Sequence, residues 1–120
     1  MRLLLLVAAG LSAMSLPSHA EFVDGSKLHE WLLASKRADS KGADHRDYSD
    51  ASLLYGYLEG VTDVALDGKL LCPLPGGMKV VQVEAVVYKW MNDHPELWHH
   101  DGASIVVAAM KSSFCKKDDQ

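Results

Sequence analysis

Four residues near the C-terminal third have the chemistry to hold a metal or move a proton: His94, His99, His100 and Asp101. Zinc takes imidazole nitrogens with carboxylate support. The run H-x-x-x-x-H-H-D, however, matches no established ligand spacing, and adjacent residues on a helix would face different sides. The cluster therefore reads as a solvated helix entry, with no metal and no cofactor assigned. A histidine pH switch needs a charged or buried partner, and no such pairing is visible in the sequence. No Ser-His-Asp order or paired-carboxylate motif stands out. Gly76-Gly77 precedes a helical segment, but neither G-x-G-x-x-G nor G-K-[ST] accompanies it, so a nucleotide site is not indicated. No catalytic residue is assigned, and the chain reads as a non-enzyme.

The other reactive pair is Cys72 and Cys115, the two cysteines of the chain. An even pair in an exported protein is most simply one disulfide. Closing a loop of 43 residues would stabilise by about 4 kcal/mol in the chain-entropy account. Export is suggested by the start of the sequence. Met1-Arg2 is positive, Leu3 to Leu16 is apolar, and Ser18-His19-Ala20 is a small-x-small cleavage site. The apolar run is shorter than the ~20 residues of a membrane span, and no lipobox cysteine follows it. Residues 1–20 are accordingly read as a signal peptide, an uncleaved anchor being the other reading. In a Gram-negative source the destination is the periplasm.

What remains is about 100 residues, the size of one domain. The formal charge of −4 becomes −5 once Arg2 is removed. That balance argues against nucleic acid and against an anionic membrane surface. It suits a partner with a basic surface.

The elements that position these residues are helical. Asp24-Gly25-Ser26 offers a cap for a first helix in which Leu28, Trp31 and Leu32 share one face, with Glu30 outside. Ser35 to Arg46 is charged and without period, and reads as a connection. A second helix starts near Asp47 to Asp50 and runs to about Leu66. Leu54, Leu58, Val61 and Ala65 form its stripe, widened by Tyr57 and Val64. Gly56 and Gly60 lie one turn apart inside it. Each costs about 1 kcal/mol against alanine, which predicts close approach of a helix or an aromatic ring. Lys69 to Met78, with Cys72-Pro73, Leu74-Pro75 and Gly76-Gly77, reads as a loop.

A third helix covers about Lys79 to Asp93. Val83, Val86, Val87, Trp90 and Met91 face inward, and Gln82, Glu84, Lys89 and Asn92 outward. His94-Pro95 stops it, and Pro95 to Trp98 makes a single turn. A fourth helix, about His99 to Ser113, is apolar nearly all round. Such a helix is central to a core or shared with a second copy, so a homodimer remains open. Lys116 to Gln120 reads as a disordered tail. The fold class is all-α, a small bundle of four to five helices with one disulfide.

Gly56-Tyr57-Leu58-Glu59-Gly60-Val61-Thr62-Asp63, Cys72-Pro73, Lys89-Trp90-Met91, His94-Pro95-Glu96 and Phe114-Cys115, in this order, resemble the Rap/Tai family of type VI secretion immunity proteins. The similarity covers about Leu53 to Cys115 within a domain of residues 21–115. It implies a helical, often homodimeric protein that binds and occludes a peptidoglycan amidase in the periplasm. Two family cysteines are replaced, at Leu32 and Leu54, and Lys79 stands where the family usually has a threonine cap. The expected contact residues are His94, Glu96, Trp98, His99, His100 and Asp101, followed by the Lys69 to Met78 loop. A periplasmic stress or chaperone-like helical protein, responsive to acid through its five remaining histidines, is the alternative reading. An envelope binding module for a small ligand is a third.

Overall fold

The computed structural model describes residues 22–117. The signal peptide inferred for residues 1–20, and positions 118–120 of the inferred tail, lie outside the described residues. Four α-helices and one 3-10 turn make up the domain: α1 (Gly25–Ala38), α2 (His45–Asp67), α3 (Val80–Asp93), the turn Pro95–Leu97, and α4 (Gly102–Phe114). The all-α class read from periodicity is the observed one.

Helix α1 begins where the Asp24 carboxylate accepts the Lys27 amide at 2.8 Å, satisfying one of the free donors of the first turn. Leu28, Leu32 and Ala34 are fully buried and Trp31 nearly so. Contrary to the expected break at Ser35, the helix continues to Ala38, and Ser35 is itself buried. The true connection is residues 39–44. Asp44 caps α2 in a reciprocal box with Asp47, the two side chains accepting each other's amides at 3.0 and 3.3 Å. The Arg37 guanidinium donates to the same Asp47 carboxylate at 2.8 Å, and that hydrogen bond chiefly holds the carboxyl below its ordinary range. A charged stretch thus extends one helix, caps the next and cross-links the two.

Leu54, Leu58 and Ala65 of α2 enter the core, whereas Val64 is 71% exposed. It lies at the edge of the stripe rather than widening it. Val83, Val87 and Met91 of α3 meet them from the other side. Glu84 was expected outside and is buried, because 84, 87 and 91 share one face at helical spacing. The amide of Lys79 donates to Gln82 Oε1 at 2.8 Å, so glutamine supplies the cap that the lysine side chain, having no acceptor, does not. From α4, Ile105, Val106, Ala109 and Met110 close the core. Leu32 and Leu54 are both fully buried in this cluster and meet there as apolar side chains.

Cys72 and Cys115 form the expected disulfide, with Cα atoms 5.6 Å apart across 43 residues of sequence. It fastens the loop after α2 to the end of α4. Gly56 and Gly60 depart from expectation: a Cβ at either position meets nothing within 4 Å. Among the described residues neither glycine has the close neighbour that was expected. The glycines instead floor an open apolar groove of about 490 Å³ between α2 and α4, walled by Tyr57, Val64, Ala103 and Val107.

Two predictions follow from this packing. Replacing both cysteines by alanine should cost about 4 kcal/mol of unfolding free energy in the loop-entropy account, read from denaturant midpoints. Gly56→Ala and Gly60→Ala should each stabilise the chain, measured where it is monomeric, by about 0.5–1 kcal/mol, because the space is open.

Candidate functional site

The break between α3 and α4 is an ordered surface, and its order comes from backbone geometry. At the end of α3 the Met91 carbonyl accepts both the His94 amide at 3.2 Å and the Trp98 indole N–H at 2.9 Å. The Trp90 carbonyl lies 2.8 Å from His94 Nδ1, and since a carbonyl only accepts, the ring nitrogen donates. Pro95 opens the 3-10 turn, where its missing N–H costs nothing. The chain then returns through amide bonds from Leu97 to His94 O (3.1 Å) and from His100 to Leu97 O (3.0 Å).

Rings complete the structure. His29 of α1 stacks on Trp98 with centroids 3.9 Å apart, and His94 stacks on Trp90 at 4.2 Å. His99 and His100 lie against each other at 4.3 Å. They precede α4 rather than occupying its first turn, since the helix begins at Gly102 with Asp101 as its cap. Expecting a helix from His99 overran the true start by three residues.

The junction is tied to the front of the molecule by a two-residue bridge. The Gly25 amide donates to His100 O and the Gly102 amide to Val23 O, both at 2.8 Å, pairing Asp24 with Asp101. Both glycines are needed for close approach. A Cβ at Gly25 would lie 2.5 Å from the Trp98 carbonyl oxygen, and one at Gly102 would lie 2.9 Å from the Tyr57 hydroxyl. Asp101 accepts the Ser104 amide at 2.8 Å. Its carboxyl sits below the ordinary range, chiefly because of that bond.

The six expected contact residues therefore divide. Glu96, His99 and His100 are exposed and free to meet a partner. His94, Trp98 and Asp101 are partly buried, and their polar atoms are engaged in holding the junction. Residues missed at the sequence level are His29, Trp90, Leu97 and Gly25. A shallow cleft of about 240 Å³, lined by Trp90, Leu97, Ile105 and Ala108 with His100 at its edge, opens beside the histidines. His29 has no spacing signal, being more than sixty residues away. Gly25 had one: Asp-Gly stands before both α1 and α4, and these are the two segments that pair. Among the described residues no three His, Cys, Asp or Glu side chains gather as a metal-holding group. The imidazoles here face rings and carbonyls, an arrangement that presents a surface.

The sequence matches the Rap1a immunity proteins over residues 24–115. The chain belongs to the Rap1a immunity protein family. A search of the curated proteins finds no match. Family membership makes this an immunity protein, whose role is to bind a secreted effector. The match begins at Asp24 and ends at Cys115, so it takes in the paired Asp24 and Asp101, the junction and the disulfide together.

Partial burial holds the His29 pKa below its ordinary 6.5, opposed by a hydrogen bond with Asn92. The folded chain therefore favours neutral His29, and below pH 6.5 the unfolded chain takes up the proton first. Stability from this residue is present above that pH and is lost as pH falls towards the lower folded value. Thermal melts between pH 7.5 and 5 should show a steeper loss for the wild type than for His29→Phe.

Proposed function

We propose that this immunity protein acts in the periplasm, where it binds and occludes a peptidoglycan amidase delivered by a type VI secretion system. The observation that carries this reading is the ordered His94–Gly102 junction within a chain of the Rap1a family. An occluding surface gains affinity when it is shaped before binding, because little side-chain or loop entropy is then lost. Here the ring stacks, the indole-to-carbonyl bond and the two-glycine bridge meet that need. Glu96, His99 and His100 supply polar contacts around the Trp90–Leu97 cleft, which suits one apolar side chain of the effector. The reading needs no catalysis by this chain, only coverage of the amidase's Cys–His groove. The acidic balance of the protein suits a basic rim around that groove.

The experiment is co-purification of the mature chain with the candidate amidase, followed by measurement of peptidoglycan cleavage. A tight complex with cleavage abolished at equimolar inhibitor supports the reading, and intact cleavage in the presence of excess chain would sink it. Replacing His99 and His100 together by alanine should weaken binding at least about tenfold, or ~1.4 kcal/mol, with no change in melting temperature.

The open groove over Gly56 and Gly60 supports a homodimer as part of the same reading. Bare backbone at two positions one turn apart lets a helix of a second copy approach closely. Gly60→Leu should then shift sedimentation towards the monomer while the fold is retained; an unchanged distribution would remove the groove from the dimer.

A further inference from the structure

At the end of the molecule opposite α4's first turn, three lysines line one cleft. Lys69 follows α2, Lys111 lies in the last turn of α4, and Lys116 comes just after the disulfide. The cleft has a volume of about 450 Å³, with Leu70, Pro73 and Phe114 as apolar walls. In a chain with a formal charge of −4, this is a local reversal of sign. The three ion pairs of the described residues use Lys27, Arg37 and Lys89. None of the cleft lysines has a carboxylate partner among the described residues.

Two further observations make the cleft more than a cluster of solvated lysines. Its walls are fixed: the disulfide joins them, the Cys72 amide lies 3.2 Å from Cys115 Sγ, and the Leu70 and Leu71 amides both donate to Ala65 O at 2.7 and 3.2 Å. Moreover, Lys69 holds a left-handed backbone, φ +57°, the only non-glycine residue described with positive φ. Glycine adopts that conformation freely and is the usual occupant where a helix closes this way. Here the glycine stands one position earlier, at Gly68, and a lysine bears the cost. Strain retained at one position is a pointer to use.

We propose that this cleft binds an acidic peptide segment, with carboxylates on either side of one apolar side chain. Its lysine ammoniums match the carboxylates, and Leu70, Pro73 and Phe114 match the apolar group. A compact anion such as phosphate is a poorer fit. Phosphate sites draw on the convergent amides of helix N-termini, whereas this cleft offers three side-chain ammoniums on separate segments with apolar walls between them. The proposal does not rest on the amidase reading, which is carried by the His94–Gly102 junction, although the Lys69 to Met78 loop expected to contact the effector supplies one wall of this cleft.

The test is fluorescence anisotropy of the full mature chain with a labelled, capped Asp-Asp-Leu-Asp-Asp peptide and its Asn-Asn-Leu-Asn-Asn counterpart. The acidic peptide should bind, and its affinity should fall as salt rises and shortens the screening length from about 10 Å at 0.1 M. Lys111→Glu should weaken it about tenfold, equivalent to the loss of one strong contact. Lys69→Gly should leave the melting temperature equal or higher and still weaken binding, which separates a binding role from a structural one. Equal binding of the amide peptide, or affinity unmoved by both substitutions, overturns the proposal. Capture of phosphatidylglycerol vesicles without the peptide, or displacement of the peptide by an equal concentration of inorganic phosphate, overturns it as well.

Discussion

The architecture depends on the bridge that sets residues 23–25 against 100–102. Two backbone hydrogen bonds of 2.8 Å bring the starts of α1 and α4 to the same place. Such an approach gathers the positive ends of two helix dipoles, and the chain answers it with a carboxylate at each: Asp24 caps α1 and Asp101 caps α4. Neither segment could come this near with side chains in the way, so glycine follows each aspartate. Once α4 starts here, the residues between Asp93 and Asp101 have both ends fixed. Trp98 then closes the loop by reaching back to the Met91 carbonyl, and His29 lies over its ring.

Much of this was legible in the sequence where a single physical rule dominated. Apolar spacing located the buried stripes, Leu28/Trp31/Leu32 and Val83/Val87/Met91 among them. Cap chemistry placed the start of α1, proline placed the end of α3, and cysteine arithmetic gave the disulfide. The misreadings arose where a tertiary contact reversed a local cue. Ser35 to Arg46 looked like a solvated loop because its residues are charged, yet Arg37 and Asp47 are charged in order to bind each other across the two helices. Glu84 looked exposed because it is acidic, while its register puts it with Val87 and Met91. His99 and His100 looked helical because α4 is strongly apolar. Asp101 competes for the role of cap and wins, and the two histidines are left in the turn before it.

Gly56 and Gly60 show another limit of reading from sequence. A pair of helix glycines permits a close neighbour but does not require one. The described residues leave both bare, and the residues bordering them, Val64 and Val107, are apolar and at least partly exposed. The candidate site was partly readable for a related reason. His94-Pro95-Glu96 identifies where the helix breaks, but the order of that break depends on His29 and Gly25, brought in by the fold from the opposite end of the sequence.

Helix α4 is consequently held at both ends by unlike means. Hydrogen bonds to the first segment of the domain fix its start, and the disulfide to the loop after α2 fixes its end. The covalent tie acts mainly by restricting the unfolded chain, whereas the bridge specifies geometry in the folded one. A helix so fixed does not need to bury its whole circumference to remain in place. That allows Ala103 and Val107 to stay partly exposed above the glycine floor, and it allows the turn before the helix to display His99 and His100 without fraying. A surface shaped before binding loses little side-chain or loop entropy when a partner arrives. In a domain of this size, anchoring one helix at its two ends is an economical way to keep several such surfaces rigid together.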